Sequence, residues 1–274
     1  MYKSLLVPID GRPRSERSLG LACAMAHDLD AHVTGLFVKP RVYVPSAARA
    51  AGAGEMLEQL QRDLAQKLAA DAEALFQRCV TAAKLSRTSW HTAAGEVAEV
   101  VAEYSRFADL VIANQTDCEA PDATNFADSV LLSLGRPLVL LQHAAPFNRE
   151  WLNVLVAWDG GREAARAVTD AMPILQRAAK VTVLTVFRGA FATEAATSTN
   201  IARYLEQHAV KVAVAHEAAG DQDIGRLILH RAEDMGADLI VLGAYGHSRV
   251  REIVLGGVTR TVLREMQRPV LLSH

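Results

Sequence analysis

Cysteine is scarce in this sequence, and the three cysteines present, Cys23, Cys79 and Cys118, lie far apart. They form no CxxC pair and no metal-binding spacing, and an odd number does not suit a framework of disulfides. The pattern is typical of buried thiols in a reducing compartment, so we expect a cytoplasmic protein.

The sequence also lacks long apolar runs, a strong excess of either charge and the common catalytic signatures. Its longest apolar segments, such as Leu138–Leu141, are far too short to span a membrane, and the N-terminus reaches Asp10 too early for a secretory signal. A net charge of −2 gives no electrostatic reason to bind nucleic acid or an anionic membrane. No P-loop, G-x-S-x-G elbow or HExxH motif occurs, so we expect no catalytic residue and no metal site.

What the sequence does have is an internal repeat. Its 274 residues, half of them hydrophobic, suffice for one large domain or two ordinary ones. Three segments recur in the same order: residues 5–11 as 154–160, 108–112 as 237–241, and 136–141 as 268–272. We therefore predict a tandem duplication, with a boundary near Pro146 and domains at 1–145 and 146–274.

Each half alternates strand-like and helix-like segments. In the second half, strands are predicted at 153–158, 181–187, 211–215, 239–242 and 270–273, with helices between them. Because such crossovers require parallel strands, we predict two doubly wound α/β domains, each with a five-stranded parallel sheet flanked by helices. The first half differs by one long helix, residues 55–85, after a Pro/Ala/Gly-rich stretch at 40–54.

A glycine-spaced loop follows the fourth strand of the second half. Gly243 and Gly246 come directly after the strand, and Gly256 and Gly257 directly precede a helix-like run, 258–266. Glycines allow a left-handed backbone and close approach to a ligand, while a helix N-terminus attracts anions. In doubly wound sheets, ligands bind where the strand order reverses, here beside Asp159 and Gly243. This layout predicts a nucleotide site.

These residues resemble the universal stress protein family in its tandem two-domain form. Gly243, Gly246 and Gly256 match the family motif G-x2-G-x9-G-[S/T], and Asp159 and Asp10 match an aspartate that closes the first strand. The resemblance implies strand order 3-2-1-4-5, ATP as ligand, with or without Mg²⁺, and a regulatory role in the stress response rather than catalysis. The ligand contacts that it implies are Asp159 at the adenosine end, Val186 facing adenine, and Gly243, Gly246, Gly256, Gly257 and Val258 around the ribose and phosphates.

The motif departs from the family at its last position, where Gly257 replaces the usual Ser or Thr. Losing one hydroxyl contact costs on the order of 1 kcal/mol, roughly a fivefold to tenfold loss of affinity. Thr259, His247 and Arg249 are candidates for replacement contacts, and the alternative is a solvated loop whose charges touch nothing.

The first half has no comparable loop. Residues 114–122 contain no glycine but carry Asp117, Glu119 and Asp122, so we predict that this half does not bind ATP and that the acidic loop is a solvated turn. Asp10 is either a relic of an ancestral site or a residue that bonds its own turn, and we favour the structural role.

Other functions stay open at this point. In one alternative, both sites are degenerate and the long helix or residues 40–54 recruit a protein partner. In another, bound ATP is hydrolysed slowly near His247. For assembly, we predict that the two fifth strands, 137–141 and 269–273, pair as the halves form a pseudo-dimer. A homodimer of whole chains is a further possibility.

Overall fold

The computed structural model describes residues 1–39, 43–115, 126–142, 150–188, 191–246 and 257–274. These residues form two compact units, Tyr2–Ala113 and Asn114–His274, and Met1 groups with the second. The predicted domain boundary near Pro146 falls in 143–149, outside the described residues, and stays a prediction. Within the described ranges, no helix combines the length and apolar character needed to cross a membrane.

The unit Tyr2–Ala113 alternates strands with helices. Its elements are β1 (Ser4–Pro8), α1 (Ser15–Leu29), β2 (His32–Lys39), α2 (Ser46–Ala50), α3 (Gly54–Ala82), β3 (Thr88–Ala94), α4 (Val97–Ser105) and β4 (Leu110–Asn114). The strands lie in the order β3-β2-β1-β4, and every neighbouring pair is parallel. Leu5, Leu6 and Val7 of β1 are fully buried, as expected for a strand covered on both faces of the sheet.

The unit Asn114–His274 repeats this pattern. Its elements are α5 (Phe126–Val130), β5 (Leu138–Leu141), β6 (Asn153–Ala157), α6 (Arg162–Leu175), β7 (Lys180–Phe187), α7 (Phe191–Gln207), β8 (Val212–Ala218), α8 (Ile224–Asp234), β9 (Leu239–Gly243), α9 (Gly257–Glu265) and β10 (Val270–Ser273). Strands β6 to β10 are parallel and lie in the order β10-β9-β6-β7-β8. The predicted order 3-2-1-4-5 is therefore confirmed for the second half.

The predicted pairing of the two fifth strands is also confirmed. Strand β5 runs antiparallel to β10, with Leu140 opposite Val270 and Leu138 opposite Leu272. All four of these side chains are fully buried. As a result, β5 is part of the second compact unit although it comes from the first copy of the repeat.

Several element boundaries differ from the sequence-based prediction by a few residues. Strand β8 continues to Ala218 rather than ending at Ala215, because its last residues pair with β7 as far as Phe187. The polar residues His216 and Glu217 gave no strand signal in the sequence. Helix α3 ends at Ala82 rather than at residue 85.

Candidate functional site

A cavity of about 290 Å³ opens in the second unit, at the carboxyl ends of β6 and β9. These strands are parallel neighbours, with Ala157 opposite Leu242, so the segments that follow them leave the sheet at the same edge. One segment leads to α6 and β7, the other to α9 and β10, on the two sides of this pair in the sheet. Such a divergence of connections creates the crevice in which doubly wound folds bind ligands.

The cavity gathers most of the predicted site residues. Its walls include Asp159, Val186, Gly243, Gly246, Gly257, Val258 and Thr259. The three remaining predicted residues, His247, Arg249 and Gly256, lie outside the described residues.

The inner part of the cavity is apolar. Leu184 and Val186 contribute from β7, and Ile224 and Ile228, one helical turn apart, contribute from α8. Sequence reasoning did not assign the two isoleucines to the site, although their spacing of four residues places them on one face of α8. Together these side chains form a slot suited to a flat, largely apolar group.

Trp158 and Asp159 form the rim of this slot at the end of β6. The Asp159 side chain accepts a hydrogen bond from the backbone N–H of Gly161 at 2.8 Å, which fixes the turn into α6. Gly160, between them, has a left-handed backbone with φ of 75°. The rim therefore presents an acceptor carboxylate beside an aromatic ring.

Gly243 and Gly246 lack side chains because α6 occupies the space. A Cβ added to Gly243 would lie 2.4 Å from the backbone nitrogen of Ala164, and one added to Gly246 would lie 2.7 Å from Glu163 Oε2. Neither glycine is left-handed, whereas Tyr245 between them has φ of 58°. The expectation that these glycines supply left-handed backbone is thus wrong, and their role in this structure is to let the loop pack on α6.

Glu163 is a buried carboxylate beneath this loop. Burial acts to raise its pKa, but hydrogen bonds from Arg162 and from its own backbone N–H, with the nearby charges of Arg162 and His274, outweigh this and hold the pKa below its usual value. The ring of His274 also donates a 2.9 Å hydrogen bond to the Ala244 carbonyl. Glu163 and His274 therefore both contact the start of the glycine loop, at Gly246 and at Ala244.

The opposite end of the cavity is the N-terminus of α9. Gly257, Val258 and Thr259 begin this helix and line the cavity, so its positive dipole end faces this region. A Cβ added to Gly257 would meet no atom within 4 Å. The buried Thr259 hydroxyl accepts a hydrogen bond from the Tyr245 backbone N–H at 3.3 Å, a contact that ties the loop to the helix.

In the first unit, the carboxyl end of β1 is arranged differently. Asp10 accepts hydrogen bonds from Arg14 Nε at 2.8 Å, the Ser15 hydroxyl at 2.7 Å and the Arg12 backbone N–H at 3.1 Å. A Cβ added to Gly11 would lie 2.6 Å from the Leu68 carbonyl oxygen of α3. Helix α3 therefore packs against the turn that corresponds to the open rim at Asp159.

The contacts of Asp10 favour the structural role over a relic of a ligand site. Asp117, Glu119 and Asp122 of the predicted acidic loop lie outside the described residues. Within the described part of the chain, no three His, Cys, Asp or Glu side chains are grouped closely enough to hold a metal ion.

The fold and the cavity define a tandem, doubly wound α/β protein with a ligand crevice at the strand-order reversal of its second half. The model of the universal stress protein family matches residues 1–113 and 150–274. The chain belongs to the universal stress protein family, and the predicted resemblance is confirmed.

Individual relatives match this chain either over a short segment or over nearly the whole chain at low sequence identity. The chain is 42% identical over 45 residues to the universal stress protein MJ0577 of Methanocaldococcus jannaschii, and 48% identical over 44 residues to Slr1230 of Synechocystis. Each match covers 16% of this chain, and they span only 28% and 15% of those relatives.

Solved structures share the fold over nearly the whole length. A universal stress protein from Archaeoglobus fulgidus superposes with a TM-score of 0.69 at 18% identity, covering 98% of this chain and 95% of that chain. A protein of unknown function from Pseudomonas aeruginosa, PA1789, superposes with a TM-score of 0.61 at 17% identity, with coverages of 99% and 92%. At this identity the likeness shows the fold alone.

Proposed function

We propose that this protein is a stress-response regulator that binds an adenine nucleotide, ATP, in its C-terminal half. One observation carries the proposal: a single cavity combines an apolar slot, an acceptor carboxylate at Asp159 and the N-terminus of α9. An apolar slot suits the flat base, a carboxylate suits ribose hydroxyls, and a helix N-terminus suits phosphates.

The size of the cavity is compatible with a nucleotide whose base and sugar are enclosed and whose phosphates extend outward. Its volume of about 290 Å³ is just below the usual range for small-molecule sites, roughly 300–1,000 Å³. The base and sugar fill the slot between β7 and α8, and the phosphates extend past Gly257. Mg²⁺, if it accompanies ATP, would be held largely by phosphate oxygens, as is usual for this hard cation.

Substitutions at Gly257 test the phosphate end without altering the packing, because an added side chain there enters open space. In isothermal titration calorimetry, Gly257→Glu should weaken ATP binding at least tenfold, since its carboxylate repels the phosphates. Gly257→Gln, which is similar in size but neutral, should weaken binding much less. Gly135→Glu is the matched control, because Gly135 also faces open space but does not line the cavity.

The proposal is rejected if folded wild-type protein gives no binding heat with millimolar ATP, AMP or cAMP. It is also rejected if Gly257→Glu and Gly135→Glu bind ATP equally well. Mass spectrometry of small molecules released from the purified protein identifies the nucleotide that it carries from cells.

A second candidate function is protein recruitment. The observation that favours it is the exposure of Met56, Leu60 and Leu64 on α3, at 78%, 61% and 55%. If this were the sole function, ATP would produce no thermal shift. The third possibility, slow ATP hydrolysis, depends on His247, which lies outside the described residues.

A further inference from the structure

Helix α3 carries an apolar face that nothing in the described part of the chain covers. Its buried side chains, Ala72, Leu75, Phe76 and Val80, all lie in its C-terminal half. Met56, Leu60 and Leu64 lie four residues apart on the solvent side of its N-terminal half, and each is more than half exposed. Exposed apolar surface of this extent on a regular element is typical of an interaction site.

This half of α3 is nevertheless a well-supported helix. After Gly54, residues 55–69 are strong helix formers with one aspartate and no proline or glycine. On its other side, the Gln61 amide exchanges two hydrogen bonds with the backbone of Tyr43, at 2.8 and 2.7 Å. Arg62 also pairs with Glu58 one turn before it. The apolar face is therefore presented on an ordered element.

The outward face continues beyond the three large side chains with a different composition. Asp63 and Lys67 follow on the same side, and then Ala70, Asp71 and Ala74, all of them exposed. The face thus has large apolar residues at one end, one charge of each sign near the middle, and two alanines with Asp71 between them at the other end. A surface with this order is complementary to a copy of itself in the antiparallel direction.

We propose that α3 pairs with α3 of a second copy of this chain, antiparallel across a two-fold axis. Placing the axis beside Ala65 sets Asp63 opposite the partner's Lys67, and the symmetric contact repeats it. The same register sets Met56 opposite the partner's Ala74 and Leu60 opposite the partner's Ala70. Met56 and Leu60 then pack against small residues, while Leu64 lies opposite the partner's Gln66. Asp63 and Lys67 each meet an opposite charge, which fixes the orientation of the helices.

Two features argue for a copy of this chain over an unrelated partner. In this register the helix itself supplies an opposite charge for Asp63 and for Lys67, and the same register places Met56 and Leu60 opposite alanines. A contact formed by one helix from each copy is smaller than the interface of a permanent dimer, which buries at least about 1,000 Å² per partner, so the dimer should dissociate on dilution.

Sedimentation velocity over a concentration series tests the proposal, under reducing conditions. The wild-type chain should show a reversible monomer–dimer equilibrium, and Leu60→Glu should raise the dimer dissociation constant at least tenfold. The matched control is Leu152→Glu, at a leucine that is 43% exposed but lies outside α3, and it should leave the equilibrium unchanged.

Charge reversal tests the register. Asp63→Lys and Lys67→Asp should each weaken the dimer, since each places like charges opposite one another, and the double variant should restore most of the affinity. Circular dichroism of each variant checks that the helix content is retained. A wild-type chain that stays monomeric throughout, or a double variant that is no better than the singles, overturns the proposal, whether or not ATP binds.

Discussion

Gly257 stands where the motif predicted from the sequence has Ser or Thr, and the structure leaves room for a side chain at this position. An added side chain would enter open space at the first turn of α9, beside the cavity. We predict that Gly257→Ser restores a phosphate contact and tightens ATP binding about fivefold to tenfold, or about 1 kcal/mol. Calorimetry measures this, with Gly135→Ser as the control. An unchanged dissociation constant would mean that the phosphates do not reach this position.

Asp10 provides a second prediction at the scale of one residue. Burial acts to raise its pKa, but hydrogen bonds from Ser15, Arg12 and Arg14 and the charge of Arg14 hold the pKa below its ordinary value of 3.8. A carboxyl with a lowered pKa stabilises the fold above the unfolded-state pKa, and this contribution is lost as the pH falls through the folded-state pKa.

Asp10→Asn should therefore lower the free energy of unfolding by about 1 kcal/mol at pH 7, and by progressively less as the pH is lowered below 4. Urea denaturation at several pH values measures the difference. Asp221→Asn, at an exposed turn, is the control and should change little at any pH. A deficit for Asp10→Asn that stays constant down to pH 2 would contradict the role assigned to its charge.

The positions of the key glycines were predictable from the sequence, but their physical role was not. The spacing of Gly243 and Gly246 located the loop correctly. Contacts with Ala164 and Glu163, about 80 residues earlier in the chain, explain why side chains are absent there. No local pattern reveals such a contact, so substitutions at Gly243 report on folding as well as on binding.

At the scale of elements, α3 distinguishes the two halves. Its length was predictable from the helical run, whereas its contact with the turn after β1 was not. Gly11 and its counterpart Gly160 both have φ of 75°, but an added Cβ lies 2.6 Å from the Leu68 carbonyl oxygen at Gly11 and no closer than 3.8 Å to any atom at Gly160. The aspartate–glycine turn is thus conserved between the repeats while its surroundings are not.

We predict that Gly11→Ala costs more stability than Gly160→Ala. Both variants place an alanine in the left-handed region, at a cost of about 1–2 kcal/mol, and Gly11→Ala also forces α3 away from the turn after β1, which adds about 1–3 kcal/mol. Gly52→Ala, with the same φ and no atom within 4 Å, is the control within the first unit. Urea denaturation compares the three, and equal losses would show that α3 does not press on this turn.

At the scale of the whole molecule, the two compact units do not coincide with the two copies of the repeat, because β5 comes from the first copy and lies in the second unit. The repeat predicted the strands and their parallel order, because each copy keeps its apolar strands and crossover helices. It also predicted that β5 and β10 pair. It could not show that β5, from the first copy, belongs to the compact unit formed by the second, since that depends on tertiary contacts beyond the repeat.

Hydrogen exchange with bound nucleotide tests this membership. A ligand at 100 times its dissociation constant stabilises the unit that binds it by about 2.7 kcal/mol. Amides that exchange only when that unit unfolds should then exchange about 100-fold more slowly with ATP. We predict this slowing in β6, β9 and β10, and equally in β5, but not in β1 or β2. Gly257→Glu with ATP is the control and should show none of it. If β5 instead behaves like β1, it unfolds with the first unit, and its antiparallel pairing with β10 does not determine its stability.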